Sequence, residues 1–169
     1  MYPPEIFFYG GGGAAGWGSL CGALIAAGSA INMVTPLNQC MPVYSELIGW
    51  YTQEPFPSRK LDAIAKIKDQ AQSVSDSPLC HVSISRWCDA SGLKVGTPEH
   101  ADRCAKLSGD VAAQTVMLLN LRHEGRFETR FAVSAETTAC MGCHGGKGEQ
   151  ADSYGKMTCV QCHEPHETK

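Results

Sequence analysis

Cys140, Cys143 and His144 form one Cys-x-x-Cys-His run, and Cys159, Cys162 and His163 form a second. This spacing is the signature of covalent haem attachment. Two thiols add across the porphyrin vinyl groups and the following His places its imidazole on the iron, because the tight spacing holds all three on one edge and face of the macrocycle. The chain is therefore expected to carry two covalent c-type haems. Cys140, Cys143, Cys159 and Cys162 are the thioether anchors, and His144 and His163 are the proximal iron ligands. A zinc ribbon also uses paired Cys-x-x-Cys knuckles, but it needs no His directly after each, and here His follows both.

Gly145 to Thr158, fourteen residues rich in glycine, separate the first proximal His from the second motif, so the two haems should sit close together. A segment this short has too little core to bury two macrocycles. Either the preceding domain or a second copy of the chain must cover them and bring the remaining ligands.

Two low-spin irons need two further ligands, and the unassigned histidines are His81, His100, His123 and His166. His123, at the end of a long helix and near a Gly, is the first choice. His166 lies too close to His163 to reach behind the same haem but can ligate the neighbouring one, and it is the second. His100 and His81 rank behind them, as does either Met117 or Met157, whose thioether would raise the reduction potential.

Nine cysteines less four thioether anchors leave Cys21, Cys40, Cys80, Cys88 and Cys104, an odd number that a pure disulfide framework cannot use. Cys80 and Cys88 flank a short segment and Cys104 follows early in the next helix, so these three can converge on one centre of iron and sulfide, which thiolates select. The competing reading is a set of small buried hydrophobes, or a disulfide with a free thiol.

The elements that must position these groups read as helical. Trp17 to Val34 is rich in Gly, Ala and Ser without a polar face, which predicts a buried helix. Residues 10–16, GGGGAAG, lack the Lys and the glycine spacing of nucleotide loops and read as close backbone packing. Ser58 can cap an amphipathic helix with Leu61, Ile64, Ala65 and Ala71 on one stripe. Thr97, Pro98 and Glu99 predict the start of a long helix running to about His123, with Cys104, Leu107, Val111, Leu118 and Leu121 on its inner side and Gly125 ending it. The expected fold is mainly α: a helical domain over residues 1–132, then a small, loop-rich diheme segment over residues 133–169.

At 169 residues, 43% apolar and with a net charge of -3, the chain fits one globular unit with a small appendage. It lacks the clustered basic surface that nucleic acid requires. No apolar run reaches the roughly 18 residues of a membrane span. Met1 to Gly13 has no basic region of a secretory signal. Because c-type haem is attached outside the cytoplasm, an upstream signal absent from these residues and a periplasmic location are expected.

GGGGAAGWGSLCGAL, SPLCHVSISRWC, RCAKLSGDVAAQTVMLLN and the two haem segments CMGCHGGKGEQ and GKMTCVQCHEPH resemble split-Soret cytochrome c over nearly the whole chain. That family is similar in part to a wider group of redox proteins with a C-GCAxxG-C-C pattern, to which Leu20 to Leu24 corresponds loosely. The resemblance implies a periplasmic homodimer of anaerobic, sulfate-reducing bacteria. It implies two closely stacked bis-histidine haems per subunit near the subunit interface, one ligand crossing from the partner, and an iron-sulfur cluster of two-iron two-sulfur type in the helical domain. By the resemblance, the cluster ligands would be Cys80, Cys88 and Cys104, with Cys21 and Cys40 in reserve. A further Cys-bearing helix precedes the glycine-rich loop in that family and is not among these residues, which leaves the fourth ligand open.

The function expected is electron transfer between redox partner proteins. A reductase of a small oxyanion such as nitrite would need a haem with an open position, and two available His per chain argue against one. A structural subunit of a multihaem assembly is the remaining alternative.

Overall fold

A computed structural model describes residues 3–166. The chain divides into two compact units, Met1–Phe131 and Ala132–Lys169. Five α-helices dominate: α1 (Gly22–Val34), α2 (Leu37–Gln53), α3 (Cys80–Ser91), α4 (Pro98–His123) and α5 (Ala135–His144), with a 3₁₀ helix at Pro4–Gly10 and single 3₁₀ turns at Arg59–Leu61 and Cys159–Gln161. The only strand-like pairings among the described residues are two isolated bridges, Leu20 with Leu79 and Phe56 with Ser73. No described helix is long and apolar enough to cross a membrane.

In the first unit α1, α2 and α4 pack against one another. Each contributes an apolar stripe at helical spacing: Leu24, Ala27 and Ile31; Cys40, Val43, Leu47 and Tyr51; Leu107, Val111 and Leu118. Gly28 permits the close approach of α1 to α2, since a Cβ there would stand 2.7 Å from the Tyr44 ring, and the Tyr44 hydroxyl donates to Leu24 O at 3.0 Å. Nothing in the sequence reading placed a helix over 37–53. Pro42 lies inside it and disguises a stripe that is otherwise regular.

The long helix α4 begins and ends where its caps predict. Thr97 accepts from His100 N, Pro98 opens the first turn, and Gly125 follows with φ of 69°. Two other expectations are corrected. The buried helix starts at Gly22 and not at Trp17, and Trp17 is 86% exposed. Gly12, Gly13, Gly16 and Gly18 all take positive φ, a conformation that ends any helix, so residues 10–19 fold instead into a compact knot of backbone hydrogen bonds. The helix expected from Ser58 is only the turn Arg59–Leu61, and Ile64 is 84% exposed. Long-range polar anchors override its local pattern: Ser58 N and Oγ donate to Asp110, Asp62 pairs with Lys106, and Lys66 N and Gln70 Nε2 donate to Asp102.

The second unit holds one α-helix and one 3₁₀ turn among its loops. Ser134 caps α5 by accepting from Thr137 N at 3.1 Å, and the buried Thr137 hydroxyl donates to Met157 O at 3.0 Å. Gln150 N and Ser153 N donate to Cys143 O and His144 O, so the glycine-rich stretch folds back over the C-terminal end of α5.

Candidate functional site

The glycine knot creates the first site. Ser19 O accepts from Cys80 N at 2.7 Å, Gly18 O from His81 N at 3.1 Å, and Pro78 O from Cys21 N at 3.0 Å. A Cβ on Gly13 would stand 2.7 Å from Cys80 Cβ. The start of α1 is thereby clamped to the start of α3, bringing Cys21 and Cys80 to one end of a cavity of about 610 Å³ between α1 and α4. Cys104, in the second turn of α4, lines the same cavity, with Tyr51, Ser83 and Arg103. Much of the remaining wall is apolar, from alanines of α1 and aliphatic residues of α4.

Electrostatics mark the three thiols as one group. Burial pushes the Cys80 thiol up to about 11, with Cys21 and Cys104 adding to the shift and Arg103 opposing it. Burial likewise raises Cys104, against the pull of the Arg103 guanidinium. The buried Tyr51 hydroxyl, held above its ordinary value by burial and by Cys21 beside it, donates to Ser83 Oγ at 3.2 Å. His100 lies beside Cys104. Its Nδ1 accepts from Gly96 N, so the neutral ring carries its proton on Nε2, which faces Cys104 Sγ at 3.7 Å. Burial, then the Arg103 charge, lowers the pKa of His100.

The structure does not bring Cys88 to this group. It lies eight residues beyond Cys80 on α3, which at the α-helical rise is about 12 Å along the axis, and it is absent from the cavity wall. Cys40 is buried in α2 and its thiol donates to Leu37 O at 3.2 Å. His81 is exposed beside the glycine knot, and His123 is exposed at the end of α4. Among the described residues no three His, Cys, Asp or Glu side chains stand close enough to grasp a single metal ion. Cys21, Cys80 and Cys104 share the cavity wall without closing on a single point.

The donor set fits such a group on a second count. The Nε of Arg103 is buried without a hydrogen-bond partner, on a residue that lines the cavity. Sequence reasoning missed Arg103. The signal was available: it lies four residues before Leu107, on the inner stripe of α4, where a charge needs a reason.

The second site lies wholly within 132–166. The Cys140, Cys143 and His144 side chains share the last turns of α5, and Cys159 opens the 3₁₀ turn of the second motif. Burial first, and then the neighbouring Cys140, raises the Cys159 pKa, so the first cysteines of the two motifs lie side by side. His144 Nδ1 and Asp152 Oδ1 are 2.9 Å apart. That contact engages Nδ1 and not Nε2, the arrangement metal-ligating histidines adopt when a carboxylate fixes their tautomer. Asp152, too, was invisible to sequence reasoning. The His166 ring stands 5.7 Å from the His144 ring, at 89° to it.

Comparison with known proteins gives three results. Residues 5–118 match the family described as "Putative redox-active protein (C_GCAxxG_C_C)". The chain is 32% identical over 157 residues, 90% of its length, to the split-Soret cytochrome c of Desulfovibrio desulfuricans (strain ATCC 27774 / DSM 6949 / MB), of whose length it spans 56%. It superposes with a TM-score of 0.87 and 30% identity on a solved structure from D. desulfuricans ATCC 27774, described as "A novel iron centre in the split-Soret cytochrome c", covering 98% of this chain and 71% of that one.

Proposed function

Because this chain belongs to the C_GCAxxG_C_C family of redox-active proteins and is a homologue of split-Soret cytochrome c, we propose that it transfers electrons through two covalent haems and an iron-sulfur centre in the periplasm. The single observation that carries this reading is the convergence of Cys21, Cys80 and Cys104 on one cavity in a chain that also carries two Cys-x-x-Cys-His runs. Haem iron and an iron-sulfide cluster supply one-electron redox chemistry when bound.

Each residue has a defined task in this reading. Cys140, Cys143, Cys159 and Cys162 anchor the porphyrins, and His144 and His163 are proximal ligands. Side-by-side placement of Cys140 and Cys159 favours close haems. Cys21, Cys80 and Cys104 hold the cluster, with a fourth position left to solvent or to another chain. His166 is the distal ligand of the haem on His144. His144 and His166 would hold that iron together, and their rings already lie 5.7 Å apart in the same small unit. His123 remains the candidate for the haem on His163, and a homodimer is the natural assembly for a small unit that cannot cover two macrocycles alone. The helical unit 1–131 then serves the cluster and the unit 132–169 the haems.

His166→Ala is expected to convert one haem of the pair from low spin to high spin, read by absorption and electron paramagnetic resonance of the oxidised protein. An unchanged low-spin spectrum removes His166 from the ligand set. A high-spin haem in the unmodified protein would favour a reductase over a carrier.

Asp152→Asn should make the haem on His144 easier to reduce. A carboxylate on Nδ1 lends the ligand anionic character and stabilises ferric iron. The pair is 32% and 59% exposed, so the expected shift is modest, a few-fold in electron affinity, screened by solvent. A redox titration in which both haem couples stay where they were would count against the role.

A further inference from the structure

α4 carries three buried charged residues into the interior, Arg103, Lys106 and Asp110, and α2 contributes a fourth, Glu46. Burying a charge without an answering group is costly, and three of the four are answered within the protein. Lys106 is paired with Asp62. Asp110 accepts from Ser58 N at 3.1 Å and from Ser58 Oγ at 2.5 Å. Glu46 accepts from the backbone N of both Arg130 and Phe131 at 2.9 Å.

Arg103 is the exception. It is 2% exposed, and its guanidinium donates only to neutral groups, Ser83 O at 3.3 Å and Ser83 Oγ at 2.7 Å, with Cys104 Sγ at 4.0 Å. No described carboxylate pairs with it. Ser83 Oγ also accepts from Tyr51, so the arginine is held rigidly by a shared hydroxyl. Its Nε has no partner, and the residue faces the cavity lined by Cys21, Cys80 and Cys104. The missing counter-charge therefore belongs in that cavity.

We propose that Arg103 is the counter-cation of the metal centre held by Cys21, Cys80 and Cys104, positioned by Ser83 so that it favours the reduced, more negative state of that centre. The inference rests on the iron-sulfur reading above. An iron-sulfide centre on three thiolates is anionic, and the electron it accepts from a one-electron donor adds a further negative charge. A guanidinium does not lose its proton in a protein, so the added charge is met by a cation already in place, with no proton taken up. Its attraction acts from a buried side chain beside a mostly apolar wall, where solvent screens less than at an open surface. Arg suits the task better than Lys, because its planar fork can serve Ser83 and the centre together.

The test uses the full chain with haem attached, comparing wild type with Arg103→Gln and Arg103→Lys. Non-haem iron and acid-labile sulfide are counted, and the non-haem couple is titrated by electron paramagnetic resonance. Arg103→Gln is expected to lower the electron affinity of that centre at least tenfold, about 59 mV per tenfold for a one-electron couple, without moving the haem couples. Arg103→Lys should restore most of the loss. If Arg103→Gln fails to load the centre, loading by Arg103→Lys supports the role of charge. Equal failure of both variants overturns it in favour of a purely structural arginine, and an unmoved couple in a loaded Arg103→Gln overturns it directly. Wild type without non-haem iron or sulfide overturns the iron-sulfur reading and this inference together.

Discussion

Cys21→Ala should empty the helical unit of non-haem iron and sulfide, whereas Cys88→Ala should leave both in place, and neither should disturb the haem spectrum. The two substitutions remove the same group from the same chain and differ only in position. Cys21 lines the cavity with Cys80 and Cys104, while Cys88 sits at the far end of α3. Structural thiolate sites hold their metal with about 10–16 kcal/mol shared among a few ligands, so losing one should weaken binding by roughly a hundredfold or more. Iron and sulfide analysis of the purified variants decides the matter. Loss of iron from Cys88→Ala with retention in Cys21→Ala would reverse the assignment and return the ligand set to the one that the family resemblance implied.

Gly13→Ala should be the most damaging small substitution in the glycine knot. Its φ is +70°, and the new methyl would stand 2.7 Å from both Cys80 Cβ and Ser19 N. The left-handed conformation costs about 1–2 kcal/mol for a non-glycine residue, and forcing a methyl into filled space adds about 1–3 kcal/mol. For a chain of this size that is a fall in melting temperature of about 5–15 °C. Because the same knot holds Cys21 beside Cys80, iron content should fall with stability. Gly16→Ala is the matched comparison: φ is +83° but nothing lies within 4 Å, and Ala14 and Ala15 already adopt positive φ next to it. It should cost only the conformational part. Coincident melting curves for the two variants would rule out close approach as the reason for glycine at 13.

The haem-attachment runs were legible because all of their chemistry is contiguous. Five residues contain both thiols and the ligand, so no fold is needed to recognise them. α4 was legible for a similar reason: Thr97, Pro98 and Glu99 at one end and Gly125 at the other are local signals, and the cap hydrogen bond from His100 N to Thr97 spans three residues. The segment after Ser58 misled because its pattern was helical and its partners were distant. Asp102, Lys106 and Asp110 on α4 supply polar contacts to 58–70 that outweigh a weak local preference. α2 was overlooked because Pro42 reads as a breaker although its stripe of Cys40, Val43, Leu47 and Tyr51 is continuous.

The sequence by itself showed two Cys-x-x-Cys-His signatures, a helical chain, and five cysteines outside those signatures. It did not determine which of them act together. Spacing suggested Cys80, Cys88 and Cys104, whereas the cavity wall that holds Cys80 and Cys104 also holds Cys21, and Cys88 lies at the other end of α3. Arg103 and Asp152 are likewise ordinary charges in the sequence and acquire meaning only from what they face, a cavity lined by thiols and the histidine of a Cys-x-x-Cys-His run. Covalent attachment is decided within one turn of chain. A shared cavity is decided by which distant backbones can approach, and here that rests on glycines at 10–18 whose missing side chains let the ends of α1 and α3 meet.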